Sequence, residues 1–192
     1  VEVVVAHRAS ELAEGPLAGY PRVYGIAWAF VAHTDSRFDP DTLRRFVLAY
    51  QRVQPLTIGE LWAVAITLRV VLVENLRRIA DALVRGRAAR EEADAFADEL
   101  LGQGDGSIRA MNVAMRRPES SPIATAFAVE LLQRLRDQDP AVTPGLAWLH
   151  RRLAAQGTSP DEIAMVEHRR QAAMTVTVRN IITSMRLMSA LD

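Results

Sequence analysis

Thr57-Ile58-Gly59-Glu60 has the T-x-x-E spacing of a capping box. In that arrangement a threonine side chain and a glutamate three residues later satisfy each other's backbone amides at a helix start. The sequence behind it stays helix-patterned to about Val84, and between Leu61 and Leu76 apolar residues face nearly every direction around the axis. A helix of that kind is expected to be buried on most sides. The chain is therefore read as all-α, a bundle of about seven to eight helices around a long buried central helix near 58–84, forming one domain over residues 1–192.

The flanking sequence supports this reading. Pro21 suits a helix start, and Val23, Ile26, Ala27, Phe30 and Val31 give an i, i+3, i+4 stripe to about Thr34. Asp39 is an expected N-cap ahead of Pro40, opening a helix to about residue 52 with Leu43, Phe46, Val47 and Tyr50 inward. Gly86 is read as a break or kink before a second helix over 90–101, which turns Ala93, Phe96, Ala97 and Leu100 inward. Helices are also expected over 107–117, 122–137, 144–155 and, after Ser159-Pro160-Asp161-Glu162, to about Ala190, with a bend near Thr175–Val178. A short helical turn is expected at Ser10–Glu14. Strand and hairpin signals are nearly absent.

Composition narrows the chemistry. All 23 basic residues are arginine, they balance 23 acidic residues, and there is no cysteine. A lysine Schiff base, a P-loop lysine, thiol catalysis and cysteine-ligated metals are excluded. Zero net charge argues against a dedicated nucleic-acid binder built on Arg169, Arg170, Arg179 and Arg186. The apolar stretches Val23–Ala32 and Leu61–Val73 are shorter than the about 20 residues that span a bilayer, and the second contains Arg69. No membrane span is expected in this chain. Val1 in place of methionine, and a stop at Asp192 directly after a helical pattern, suggest a fragment of a larger protein.

Few residues offer catalysis. Asp39-Pro40-Asp41 and Asp137-Gln138-Asp139 fit Asp-x-Asp, but both adjoin a proline at a helix boundary, where capping accounts for them. His7, His33, His150 and His168 have no i, i+4 pair or H-E-x-x-H spacing, so no metal site is expected. Glu60 and Glu74 lie fourteen residues apart, about 21 Å along a helix, too far for a glycosidic carboxylate pair. Trp28, Trp62 and Trp148 all fall in apolar helical patterns and are expected in the core. A candidate polar cluster remains: His33, Asp35, Glu74, Arg77, Arg78, His168 and Arg170. The bland account of its first members is a helix C-terminus, with His33 near free carbonyls and Asp35 or Ser36 in the turn. Glu74 has Arg77 at i+3 and Arg78 at i+4, a structural ion pair or the edge of a polar cleft. A ligand-binding or catalytic domain requires His33, Asp35, Glu74, Arg77, Arg78 and His168 to converge on one cleft.

Several ordered strings carry a resemblance: Tyr20-Pro21-Arg22-Val23-Tyr24, His33-Thr34-Asp35-Ser36-Arg37, Gln54 to Ala63, Val73-Glu74-Asn75-Leu76-Arg77-Arg78, and Val178-Arg179-Asn180-Ile181-Ile182-Thr183-Ser184-Met185-Arg186. Over roughly residues 16–192 the chain resembles the N-terminal cytoplasmic region of cyclic β-1,2-glucan synthases. The resemblance implies a large bacterial inner-membrane parent that builds and cyclises β-1,2-glucan from UDP-glucose, with catalysis in later domains. It implies a helical accessory domain on the cytoplasmic side, without cofactor or catalytic residue of its own, whose partners are the other domains of the parent.

Overall fold

The computed structural model describes residues 11–101, 122–136 and 143–190. Among them are six helices: α1 (Arg22–His33), α2 (Pro40–Gln51), α3 (Ile58–Leu100), α4 (Thr125–Leu135), α5 (Thr143–Ala155) and α6 (Pro160–Ala190). No strand occurs among the described residues; there is one isolated bridge, Glu11 to Pro21. The helical turn expected at Ser10–Glu14 is replaced from residue 11 by a reverse turn. In it the Leu12 amide donates to Tyr20 O and the Gly19 amide to Leu12 O. The expected helix over 107–117 and the Asp137-Gln138-Asp139 segment lie outside the described residues.

Six helices are found among the described residues, where seven to eight were expected for the chain, because α3 does not stop at Gly86 and the expected 107–117 helix lies outside those residues. The helices expected at 58–84 and 90–101 are one helix of 43 residues. A glycine inside a helix costs about 1 kcal/mol against alanine, which weakens a helix without ending it. Likewise α6 runs through Thr175–Val178 in a single helix.

Packing divides the chain into two compact units. The first comprises Val1–Ile79 and Met174–Asp192, and the second Ala80–Ala173. The first therefore holds α1, α2, residues 58–79 of α3 and residues 174–190 of α6. Its core joins Val23, Ala27, Phe30 and Val31 of α1 to Val64, Leu68, Val71 and Leu72 of α3 and to Ile181 and Met188 of α6. Phe38 and the α2 stripe Leu43, Phe46 and Val47 pack against this core half-buried. The second unit has its own core of Ala93, Phe96 and Ala97, of Phe127, Leu131 and Leu135 on α4, and of Trp148, Leu149 and Leu153 on α5. Phe96 meets Trp148 edge-on at 5.7 Å.

The three capping signals form as read. Asp39 accepts from the Thr42 amide at 2.8 Å. Thr57 and Glu60 exchange backbone bonds at 2.8 and 3.2 Å. Ser159 and Glu162 do the same at 2.8 and 3.3 Å.

One expectation fails in an informative way. The 58–84 segment is not buried on most sides: Val64, Leu68, Val71 and Leu72 are buried, while Ile58, Ile66, Val70, Val73 and Val84 are exposed. Trp62 is 81% exposed, whereas Trp148 is 7% exposed. Apolar residues all round a helix report its hydrophobicity, not how many neighbours the described chain supplies to cover it.

Candidate functional site

The strings that carry the resemblance meet each other in the first unit. At one junction Arg22, the first residue of α1, reaches α3. Its Nε and Nη2 donate to Glu60 Oε1 and Oε2, both at 2.6 Å, and Nη2 also donates to the Pro55 carbonyl at 2.8 Å. The two side chains are 8% and 4% exposed. Glu60 also accepts from the Thr57 amide and hydroxyl at 2.8 and 2.9 Å. It thus closes the α3 capping box and pins α1 with one carboxylate. The Arg22 hydrogen bonds, helped by those from Thr57, hold the Glu60 carboxyl at about 2 against the pull of burial. The same bonding raises the Arg22 guanidinium above its ordinary value.

A second junction lies where α1 ends. Asp35 and Ser36 both take left-handed backbone, with φ of 48° and 64°. Non-glycine residues hold that conformation at a cost of about 1–2 kcal/mol each unless neighbours fix it. Here they do. Asn180 Nδ2 donates to the Asp35 carbonyl at 2.9 Å, and Asn75 Nδ2 to Ser36 Oγ at 2.9 Å. The Ser184 hydroxyl donates to the Ser36 carbonyl at 2.7 Å and accepts from the Phe38 amide at 2.8 Å. Three strings far apart in sequence thus form one hydrogen-bonded knot.

A third group lies on the α1–α3 surface. Arg77 grips Glu74 with two bonds of 2.8 and 2.9 Å, and Arg78 Nε lies 3.5 Å from the same carboxylate. The Arg78 guanidinium covers the Trp28 ring at 4.6 Å. Tyr20, just ahead of α1, stacks on Tyr24 at 4.9 Å, and Tyr24 on Trp28 at 6.2 Å. The hydrogen bond from Arg77 lowers the Glu74 carboxyl, and burial together with the Glu74 charge raises the Tyr24 phenol. Both arginines are more than half exposed.

The seven candidates are therefore divided. His33, Asp35, Glu74, Arg77 and Arg78 belong to the first unit, and His168 and Arg170 to the second. Glu74, Arg77 and Arg78 come together. Asp35 contributes its backbone to the knot, and the His33 side chain is exposed at the end of α1. In the second unit His168 lines a cleft with five polar side chains from α3, α4 and α6: Arg90, Glu130, Gln133, Glu167 and Gln171. Arg170 pairs with Glu167, Nη1 to Oε2, at 3.6 Å. The alanines Ala126 and Ala164 leave the space open. Glu167 escaped the sequence reading, though a signal existed. It stands four residues after the buried Ile163, placing a carboxylate on the inward stripe of α6. Among the described residues no group of three metal-ligating side chains comes together.

No protein-family model matches the chain. Over 166 residues it is 36% identical to the cyclic beta-(1,2)-glucan synthase NdvB of Rhizobium meliloti (strain 1021). The chain is related to cyclic β-(1,2)-glucan synthases. The match covers 86% of this chain and 6% of the synthase, so the chain corresponds to a small part of that relative. Among the described residues no helix is long and apolar enough to cross a membrane.

Proposed function

We propose that this chain is a non-catalytic helical accessory segment of a cyclic β-1,2-glucan synthase. In this reading the whole protein transfers glucose from UDP-glucose, then extends and cyclises a β-1,2-glucan. The segment lies on the cytoplasmic side of the bacterial inner membrane, needs no cofactor, and has the other domains of the synthase as its partners. The observation that carries the reading is the use made of the polar strings. Arg22, Glu60, Asn75, Asn180 and Ser184 each spend their hydrogen bonds on holding helices and turns of the first unit together. Polar groups so engaged support architecture and leave little free for chemistry.

The test is glucan synthesis by the full-length synthase with and without this segment, with protein abundance measured in parallel. Loss of synthesis at normal abundance is expected. Unchanged synthesis overturns an organising role, and glucosyl transfer from UDP-glucose by the 192-residue chain alone overturns the non-catalytic one.

A further inference from the structure

The outer side of α3 in the first unit has the composition of an interior. Between Ile58 and Leu76 nine residues are exposed, and none of them is charged. Ile58, Trp62, Ile66, Val70, Val73 and Leu76 follow at intervals of three or four residues and share one side of the helix. Gly59, Leu61 and Ala65 stand beside them. The charges within this span are drawn away from the face: Glu60 to Arg22, Arg69 Nη2 to the Met188 carbonyl at 3.0 Å, and Glu74 to Arg77. Other exposed surfaces of the chain differ. On α2 they carry Asp41, Arg44 and Arg45, and past the stripe α3 itself turns Arg77, Arg85, Arg87 and Glu91 to solvent.

Magnitude separates this face from ordinary scattered exposure. Weighted by their exposure, its large side chains present apolar area on the order of 800 Å², where the largest patch on a typical monomer is about 300–600 Å². It is also what each partner contributes to a standard protein interface, about 800 Å². The area is thus enough for a specific dimer.

Charge selects the occupant. A lipid surface favours a face rimmed by free cations, whereas Arg77 and Arg78 at the end of this stripe are both paired with Glu74. A second copy meets no repulsion, because the face is uncharged and the whole chain has a formal net charge of zero. A two-fold axis lets one surface serve both partners. In a parallel pair the two Trp62 rings would meet at one level. Antiparallel packing about Ile66 sets each ring against the smaller Val70 of the second copy.

We propose that the outer face of α3, from Ile58 to Leu76, is a homodimer interface in which two copies pack antiparallel about a two-fold axis near Ile66. The inference is independent of the synthase reading, and the deletion experiment above is unaffected by its outcome.

The experiment is sedimentation equilibrium of the 192-residue chain from micromolar to hundred-micromolar concentration. The mass is expected to rise with concentration from that of one chain to that of two. Trp62→Arg and Ile66→Arg are expected to weaken association at least tenfold with unchanged helical circular dichroism, and dilute samples of both are expected to unfold as the unaltered monomer does. Val166→Arg, at an equally exposed valine of the second unit, is expected to leave association unchanged. The chain has no cysteine, so single cysteines report the geometry cleanly. Under oxidation Ile66→Cys is expected to form a linked dimer and Ile58→Cys is not. In the full-length synthase Ile66→Cys is expected to link two synthase chains. A chain that stays monomeric overturns the proposal, and pelleting with phosphatidylglycerol vesicles would then give the face to lipid. Dimers that survive both face variants, or that Val166→Arg also abolishes, overturn it. So does linkage through Ile58→Cys as readily as through Ile66→Cys. Linkage in the 192-residue chain without linkage in the synthase gives the face to another part of the synthase and overturns it as well.

Discussion

Arg22 and Glu60 show how much one buried pair can carry. The Glu60 carboxyl is held at about 2, against an ordinary 4.5. A carboxyl depressed on folding adds stability that is complete above the unfolded value and is lost as pH falls through the folded one. The difference corresponds to something on the order of 3 kcal/mol. The thermal midpoint is therefore expected to fall as pH drops from about 5 to 2, and Glu60→Gln is expected to flatten that part of the profile. At pH 7 the same variant leaves Arg22 buried without its counter-charge, which costs about 3–5 kcal/mol, readable by urea denaturation. Ser184 makes a parallel case without charge. Ser184→Ala strands the Phe38 amide and the Ser36 carbonyl together, with an expected loss of about 2 kcal/mol or more by the same measurement. The sequence shows Glu60 as a cap because its partner Thr57 is three residues away. It does not show Arg22 as that carboxylate's second partner, since they are 38 residues apart and only packing of α1 on α3 joins them.

At the scale of elements, local signals did well at helix starts and poorly at helix continuity. The caps at Asp39, Thr57 and Ser159 depend on atoms within three residues, so spacing reveals them. Gly86, expected to be a break or kink, does not end the helix. A Cβ built there meets only the Arg90 side chain at 3.7 Å, an ordinary contact. Gly86→Ala is accordingly expected to stabilise the chain by about 1 kcal/mol, seen as a rise in the denaturation midpoint with unchanged slope. The apolar stripes of α1 and α2 were legible because one face of each meets a core. The all-round apolar pattern of α3 was legible as hydrophobic but not as half-covered. Trp62 and Trp148 have similar sequence surroundings and opposite fates. Truncating Trp148 to alanine is expected to cost about 3–5 kcal/mol, and truncating Trp62 within about 0.5 kcal/mol of nothing, by denaturant titration.

For the molecule as a whole, 23 arginines against 23 acidic residues give a formal net charge of zero and a pI of about 7.1. With no net repulsion between copies, solubility is expected to pass through a minimum near neutral pH, measurable by precipitant titration between pH 5 and 9. The charges are also spent locally, in pairs such as Arg77 with Glu74, Arg87 with Glu91, and Arg134 with Asp94 and Asp98. The sequence alone determined the helical class, the capped starts, the inward faces of α1 and α2, and the kinship to glucan synthases. Each of these depends on neighbours along the chain or on the order of strings. Only the tertiary structure decided that Arg22 belongs to Glu60, that Asp35 and Ser36 are held left-handed by Asn180, Asn75 and Ser184, and that Glu167 lines an open polar cleft. Those facts join residues up to 148 positions apart. Helical periodicity says which way a side chain points, and only packing says what it meets there.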